Sequence, residues 1–243
     1  MDVIKVKGFK KKYGSKVVHR DINFHVESGE CIGLIGGSGS GKSVILRSLI
    51  GLEKADGGEI IVEGVNITTL SEKELIPIRC STAYVFQGGA LFDSMSVEDN
   101  LAYPLKEHTN LTDKEIRQKI MTTLGSFGLQ GAEKIMPAAL SGGMQKRVGL
   151  ARAIILDPKI ILYDEPTAGL DPFNTRKIQE KILELKRKGV TSILVTHDMP
   201  TAHVVCDRMI LLMDGRIAAE GTREELEKQK GIMMEKFITG EAF

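Results

Sequence analysis

The chain has 243 residues, 42% hydrophobic and 27% charged, enough to bury the core of one large domain or of a core carrying an inserted smaller one. A formal net charge of +1 with a pI near 7.7 gives no electrostatic footprint for a nucleic acid, so no nucleic-acid partner is expected. Cys31, Cys80 and Cys206 are odd in number, far apart and set in apolar context, which argues against a disulfide framework or metal cluster and for reduced core residues in the cytosol.

The opening MDVIKVKGFKKKYG alternates apolar and charged residues and lacks the apolar run of a signal peptide, and no later stretch approaches the roughly 18 apolar residues of a membrane span. VIKVKGF and KVVHRDINFHVESGE alternate as strands, with Lys7, Lys10, Lys11 and Lys12 expected on a solvated face. CIGLIG is a continuous apolar run, as for a strand buried on both faces, and it leads through GGSGSGKS into the helically spaced SVILRSLIGL.

GGSGSGKS satisfies G-x-x-x-x-G-K-[ST] from Gly36 to Ser43. Glycines let successive backbone N–H groups turn inward around phosphate oxygens, and the following helix adds its positive end. Gly36, Gly37, Ser38, Gly39, Ser40 and Gly41 are the expected cradle, Lys42 pairs with the β and γ phosphates, and Ser43 binds Mg2+.

EIIVEG and STAYVFQ follow as strands, and from about 88 to 157 the strand signals vanish. QGGALFDSMSVEDNLAYPLK, from Gln87 to Lys106, is neither a clean strand nor a clean amphipathic helix. LTDKEIRQKIMTTLGSFGL places Leu111, Ile116, Ile120 and Leu124 on one helical face, with Thr112 and Glu115 as a capping pair. LSGGMQKR then opens another helix. Ser141 is its natural N-cap, yet Gly142 and Gly143 cost about 1 kcal/mol each in a first turn, which suggests a close approach of backbone to an anion.

Strands return at KIILYDE, VTSILVTH, RMILLMDG and RIAAEG, separated by helices, which predicts an α/β fold with a mostly parallel sheet covered on both faces. The apolar strand IILYDEP ends in Asp164 and Glu165. Neighbours on an extended chain point to opposite sides, so Asp164 is expected to hold Mg2+ through its water shell and Glu165 to orient and deprotonate an attacking water.

GGSGSGKS, Gln87 after STAYVF, LSGGM, IILYDEP, the turn AGLD and His197 at a strand end come in the order found in ATP-binding cassette ATPases, and the chain resembles that family over essentially its whole length. The resemblance implies one ABC ATPase domain over 1–243. Within it are a P-loop NTPase (RecA-like) core with an N-terminal antiparallel β subdomain over 1–87 and 158–243, and an inserted α-helical subdomain over 88–157. It further implies ATP and Mg2+, and a head-to-tail dimer in which Ser141, Gly142 and Gly143 meet the nucleotide held by the other copy. Gln87 would reach Mg2+ and the attacking water, Asp171 would lie across the dimer interface, His197 would contact the γ-phosphate, and Tyr13 would stack on adenine. The family most often has LSGGQ; Met144 stands at the fifth position here and is expected to tune packing or rate.

A cassette without membrane spans borrows them from a permease. The resemblance therefore implies docking on the helical insertion near Leu91, Phe92, Met95, Val97 and Tyr103, and a peripheral position on the cytoplasmic face of the inner membrane. GALFDSMSVEDNLAYPLKEHT, KIMPAALSGGMQKR and YDEPTAGLDP most resemble the ATPases of Mla-type systems, which move phospholipid between inner and outer membranes with an MlaE-like permease and an MCE-type substrate-binding protein. The alternatives are a cassette for another cargo, such as an amino acid or lipoprotein, or a soluble ABC protein without a permease. Ile232, Met233, Met234, Phe237 and Ile238 could cap the core or pack on the partner cassette.

Overall fold

A computed structural model describes residues 2–228. In chain order the elements are β1 (Asp2–Tyr13), β2 (Lys16–Glu27), β3 (Cys31–Ile35), α1 (Lys42–Ser48), β4 (Gly57–Val62), β5 (Val65–Asn66), α2 (Glu72–Ser81) and β6 (Thr82–Val85). They continue with α3 (Val97–His108), α4 (Asp113–Ser126), α5 (Gly142–Ile154), β7 (Ile160–Asp164), α6 (Pro172–Arg187), β8 (Thr191–Val195), α7 (Met199–Val205), β9 (Arg208–Met213), β10 (Arg216–Gly221) and α8 (Arg223–Lys228). A short 3₁₀ turn at Pro137–Ala139 precedes α5.

CIGLI, IILYD and TSILV are buried at every position, as strands covered on both faces must be. They form the middle of a six-stranded sheet of order β10-β9-β3-β8-β7-β6, parallel except for the β9–β10 hairpin at one edge. The alternating N-terminal strands make a separate antiparallel sheet of order β2-β1-β4-β5. One apolar core, with Phe9, Ile22, Ile60, Ile45, Leu49, Leu162 and Ile193, joins that sheet and α1 to one face of the parallel sheet. A second core on the opposite face joins Ile161, Tyr163 and Leu194 to α3, α4, α5 and α6. The C-terminal ends of β3, β7 and β8 therefore open side by side, where ligands bind in open α/β sheets.

The helices between β6 and β7 start on side-chain caps. Ser96 accepts from Asp99 N, and Thr112 and Glu115 form the expected reciprocal capping box. Ile116, Ile120 and Leu124 are buried as expected; Leu111 lies before the cap and is exposed, which corrects its placement on that face. Lys11 also departs from the solvated face expected of it. It is 7% exposed, pairs with Glu53 at 2.8 Å, and lies 5.0 Å over the Tyr13 ring, because the β1–β2 ribbon turns this one lysine toward the 53–56 loop. Cys31 and Cys206, far apart in sequence, meet as free thiols; contact with the Cys31 thiol and burial push that of Cys206 well up. The tail residues Ile232 to Ile238 lie outside the described residues.

Candidate active site

After Ile35 the chain turns through 36–41 into α1, whose first residues are Lys42 and Ser43. Gly41 sits at φ +90°, where a Cβ would lie 2.5 Å from His19 Nε2 and 2.6 Å from Val18 Cγ1, so only glycine fits. His19 is 1% exposed, and burial lowers its pKa, so the ring is neutral; its Nε2 lies 3.1 Å from Gly41 O and carries the proton, since a carbonyl can only accept. Lys42 Nζ donates to Gly36 O at 2.8 Å and Gly37 O at 3.0 Å. Burial lowers its pKa, with Glu165 and Asp164 opposing the shift.

A cleft of about 710 Å3 opens above this turn. Ser38, Gly39, Gly41, Lys42 and Ser43 line one side, Gln87, Glu165 and His197 the other, and Tyr13 stands at the rim, 46% exposed. Gly37 and Ser40 border an adjoining depression, and the Ser40 hydroxyl is buried without a protein partner.

Asp164 is 9% exposed and takes two donors: Ser43 Oγ gives to Oδ1 at 2.7 Å, and Tyr84 Oη gives to Oδ2 at 2.7 Å. Burial, then the bond to Asp164, drives the Tyr84 phenol well above its ordinary pKa, so it stays a donor. Ser43 hydroxyl, Asp164 carboxylate and the Gln87 amide are all hard oxygen donors, one of them anionic, a set that fits Mg2+.

Glu165 takes different partners from Asp164, but strand alternation is not the reason. β7 ends at Asp164, and Glu165 is held at φ +51°, its N–H donating to Val195 O at 2.9 Å. A non-glycine residue there costs about 1–2 kcal/mol, a strain typical of functional positions. It leaves the carboxylate 2.9 Å from His197 Nδ1 through Oε1.

Ser141 caps α5, accepting from Met144 N at 3.3 Å, and Asp171 caps α6, accepting from Asn174 N at 2.9 Å; these bonds from Asn174 lower the Asp171 pKa. A Cβ on Gly143 would lie 2.7 Å from Asn174 Cγ, so within the chain the close neighbour demanding a glycine is Asn174. Lys146 Nζ donates to Ala168 O, tying α5 to the loop after Glu165. None of Ser141, Gly142, Gly143 or Asp171 lines the cleft that holds Lys42 and Glu165.

The irregular stretch after Gln87 is organised by two residues that the sequence reading missed. Asn100 is fully buried; it accepts from Phe92 N at 2.8 Å and donates to Phe92 O, Met95 O and Ser96 O. Arg152, on α5, donates to Gly89 O and Ala90 O and lies 5.3 Å over the Phe92 ring. A Cβ on Gly149 would come within 2.7 Å of Gly89 Cα, so α5 and this loop touch backbone to backbone. The available signal was an asparagine on an apolar helical face beside Val97 and Leu101. Tyr84 gave no such signal.

Beside this loop lies a mostly apolar groove of about 420 Å3, walled by Leu52, Ile76, Phe86, Phe92, Tyr103 and Leu156. Phe92 and Tyr103 both line it, their rings 5.4 Å apart. Leu91 instead packs on the main core, Met95 is half-buried away from the groove, and Val97 is fully buried, because α3 turns its Val97–Leu101–Leu105 face inward. A separate cleft of about 680 Å3 lined by Lys159, Lys181 and Lys188 offers no unpaired cation, since they pair with Glu63 and Glu184 at 2.6–2.8 Å.

A parallel sheet whose strand ends present a glycine cradle, a lysine and serine, a strand-end acid pair and a histidine defines a P-loop nucleoside triphosphatase. The profile of the ABC transporter family matches residues 19–168, and the chain belongs to that family as an ABC ATPase. It is 38% identical to the intermembrane phospholipid transport system ATP-binding protein MlaF of Haemophilus influenzae, covering 99% of this chain and 92% of that one. It is 39% identical to MlaF of Escherichia coli K12, covering 93% and 85%. A Mycobacterium leprae protein named "Probable ribonucleotide transport ATP-binding protein mkl" is 43% identical over 98% of this chain and 69% of its own. Among solved structures, the dimeric ATP-binding cassette MJ0796 in a post-hydrolysis state with ADP and Pi superimposes with a TM-score of 0.84 at 32% identity, covering 90% of this chain and 98% of that one. A second dimeric structure of MJ0796, a bacterial ABC transporter cassette, superimposes with a TM-score of 0.85 at 32% identity, covering 90% of this chain and 98% of that one.

Proposed function

We propose that the chain powers a phospholipid transporter of the Mla type as a Mg2+-dependent, head-to-tail homodimer, held on the cytoplasmic face of the inner membrane by an MlaE-like permease in a complex with an MCE-type protein. The observation that carries this reading is the division of the chemistry between two places on one chain: Lys42, Ser43, Gln87, Glu165 and His197 line one cleft, with Asp164 bonded to Ser43 beside it, while Ser141 and Asp171 lie elsewhere. The likeness to MlaF proteins over almost their full length supports the cargo.

In this reading Tyr13 stacks on adenine, and 36–41 and Lys42 cradle the phosphates. Ser43, Gln87 and Asp164 hold Mg2+, which neutralises charge on the phosphates. Glu165 takes the proton of the attacking water while His197, bonded to its carboxylate, faces the γ-phosphate. Ser141 and Gly143 of the second copy touch the same nucleotide, so ATP makes contacts in the closed dimer that the open one lacks and shifts the equilibrium toward closure. Residues 88–157 move as a lobe, and a permease helix sits in the groove beside Phe92 and Tyr103.

The name of the Mycobacterium leprae relative supplies a second reading of the cargo, a ribonucleotide. Native mass spectrometry of the membrane complex decides: an integral membrane subunit carrying phospholipid is expected, and bound ribonucleotide outside the cassettes, or no membrane subunit at all, overturns the reading. Phe92→Ala tests the docking site. Phe92 is 45% exposed, so its loss should cost stability on the order of 1 kcal/mol or less. Basal hydrolysis by the isolated cassette is expected to stay within about twofold, with transport in proteoliposomes lost; retained transport would remove Phe92 from the joint.

A further inference from the structure

Tyr84 stands between the cleft and the groove. β6 ends the parallel sheet, and it pairs with β7 so that Tyr84 lies beside Leu162. Asp164, two residues further along β7, points to the same face as Leu162, within reach of a tyrosine but of no shorter hydroxyl. The Tyr84 ring walls the groove and packs on Phe86, centroids 4.4 Å apart at 40°, while its hydroxyl donates to Asp164 Oδ2 at 2.7 Å. Phe86 is 40% exposed, so an occupant of the groove would cover it. Ser43 holds the other carboxylate oxygen.

We propose that Tyr84 is a positioning residue for Asp164 and carries groove occupancy to it: packing against Phe86 sets the Tyr84 ring, and the ring sets its hydroxyl and through it the carboxylate. This route does not pass through Gln87, whose loop is fastened separately by Asn100 and Arg152. The inference rests on the reading of Asp164 as a metal-holding residue and of the groove as a docking site.

The test is Mn2+ binding to the purified cassette loaded with a non-hydrolysable ATP analogue, read by the EPR signal of free Mn2+. Tyr84→Phe keeps the ring and removes only the hydroxyl. It is expected to raise the half-saturating Mn2+ concentration roughly three- to tenfold, with affinity for the analogue in EDTA unchanged and a thermal midpoint that falls no further than that of Asp164→Asn. Phe86→Ala is expected to raise it in the parent and to add nothing in the Tyr84→Phe background. If Asp164→Asn weakens Mn2+ binding and Tyr84→Phe does not, the positioning role is overturned while the metal assignment stands. If Asp164→Asn has no effect either, the metal assignment itself fails. Additive effects of Phe86→Ala and Tyr84→Phe would remove the link to the groove.

Discussion

Glu165→Gln is expected to lower ATP turnover by about 10²–10⁴-fold while nucleotide affinity changes little. The reasons are local. Glutamine keeps the volume of the side chain and can still bond His197 Nδ1, now 2.9 Å from the carboxylate, but an amide cannot accept a proton from water. The proposed phosphate contacts come from 36–41, Lys42 and Ser43, of which Ser38, Gly39, Gly41, Lys42 and Ser43 line the other side of the cleft, so binding is expected to be left intact. Fluorescent ATP-analogue titration and phosphate release measured on one sample separate the two quantities, and turnover within tenfold of the parent would remove Glu165 as the base. The strained backbone at Glu165 gives a control: Glu165→Gly relieves the left-handed conformation and should be at least as stable as Glu165→Gln, with turnover equally low.

Ser141→Arg and Lys42→Ala are each expected to lower hydrolysis by about a hundredfold or more, and an equal mixture of the two variants is expected to recover a measurable share of it. Ser141 caps α5 away from the cleft that holds Lys42, so one chain cannot bring both to one phosphate as it stands. In a mixed dimer the Ser141→Arg copy keeps its phosphate cradle and the Lys42→Ala copy keeps its cap, so one of two composite sites is whole. A site completed within a single chain would recover nothing on mixing. Ser141→Ala separates folding from closure: it removes the cap, at about 1 kcal/mol, without placing a charged side chain at the interface. Its thermal midpoint should fall as that of Ser141→Arg does, and its hydrolysis should fall less than that of Ser141→Arg, since it loses one hydroxyl contact to the nucleotide but still allows closure.

Local features were legible without coordinates. The cradle from Gly36 to Ser43 is a contiguous backbone feature, and Gly41 at φ +90° shows why its glycine is compulsory. The caps at Thr112 and Ser141 act within three residues, so their side chains reach the backbone they were expected to reach. The buried runs CIGLI, IILYD and TSILV announced the parallel sheet by composition.

What the sequence determined by itself is therefore whatever depends on neighbours in the chain: the glycine turn into α1, the helix starts, the buried strands, and the order of motifs that names the family. What only the tertiary structure decided is which distant groups meet. Tyr84 reaches Asp164 because β6 and β7 pair in one particular register, and Arg152 reaches Gly89 because Gly149 lets α5 lie against that loop. Lys11 turns inward while Lys7, Lys10 and Lys12 of the same run are not deeply buried. The physical reason is that hydrogen bonds and ring contacts act over a few ångströms, whereas the separation in sequence of the groups that make them is set by strand order and helix packing, to which periodicity and composition are blind.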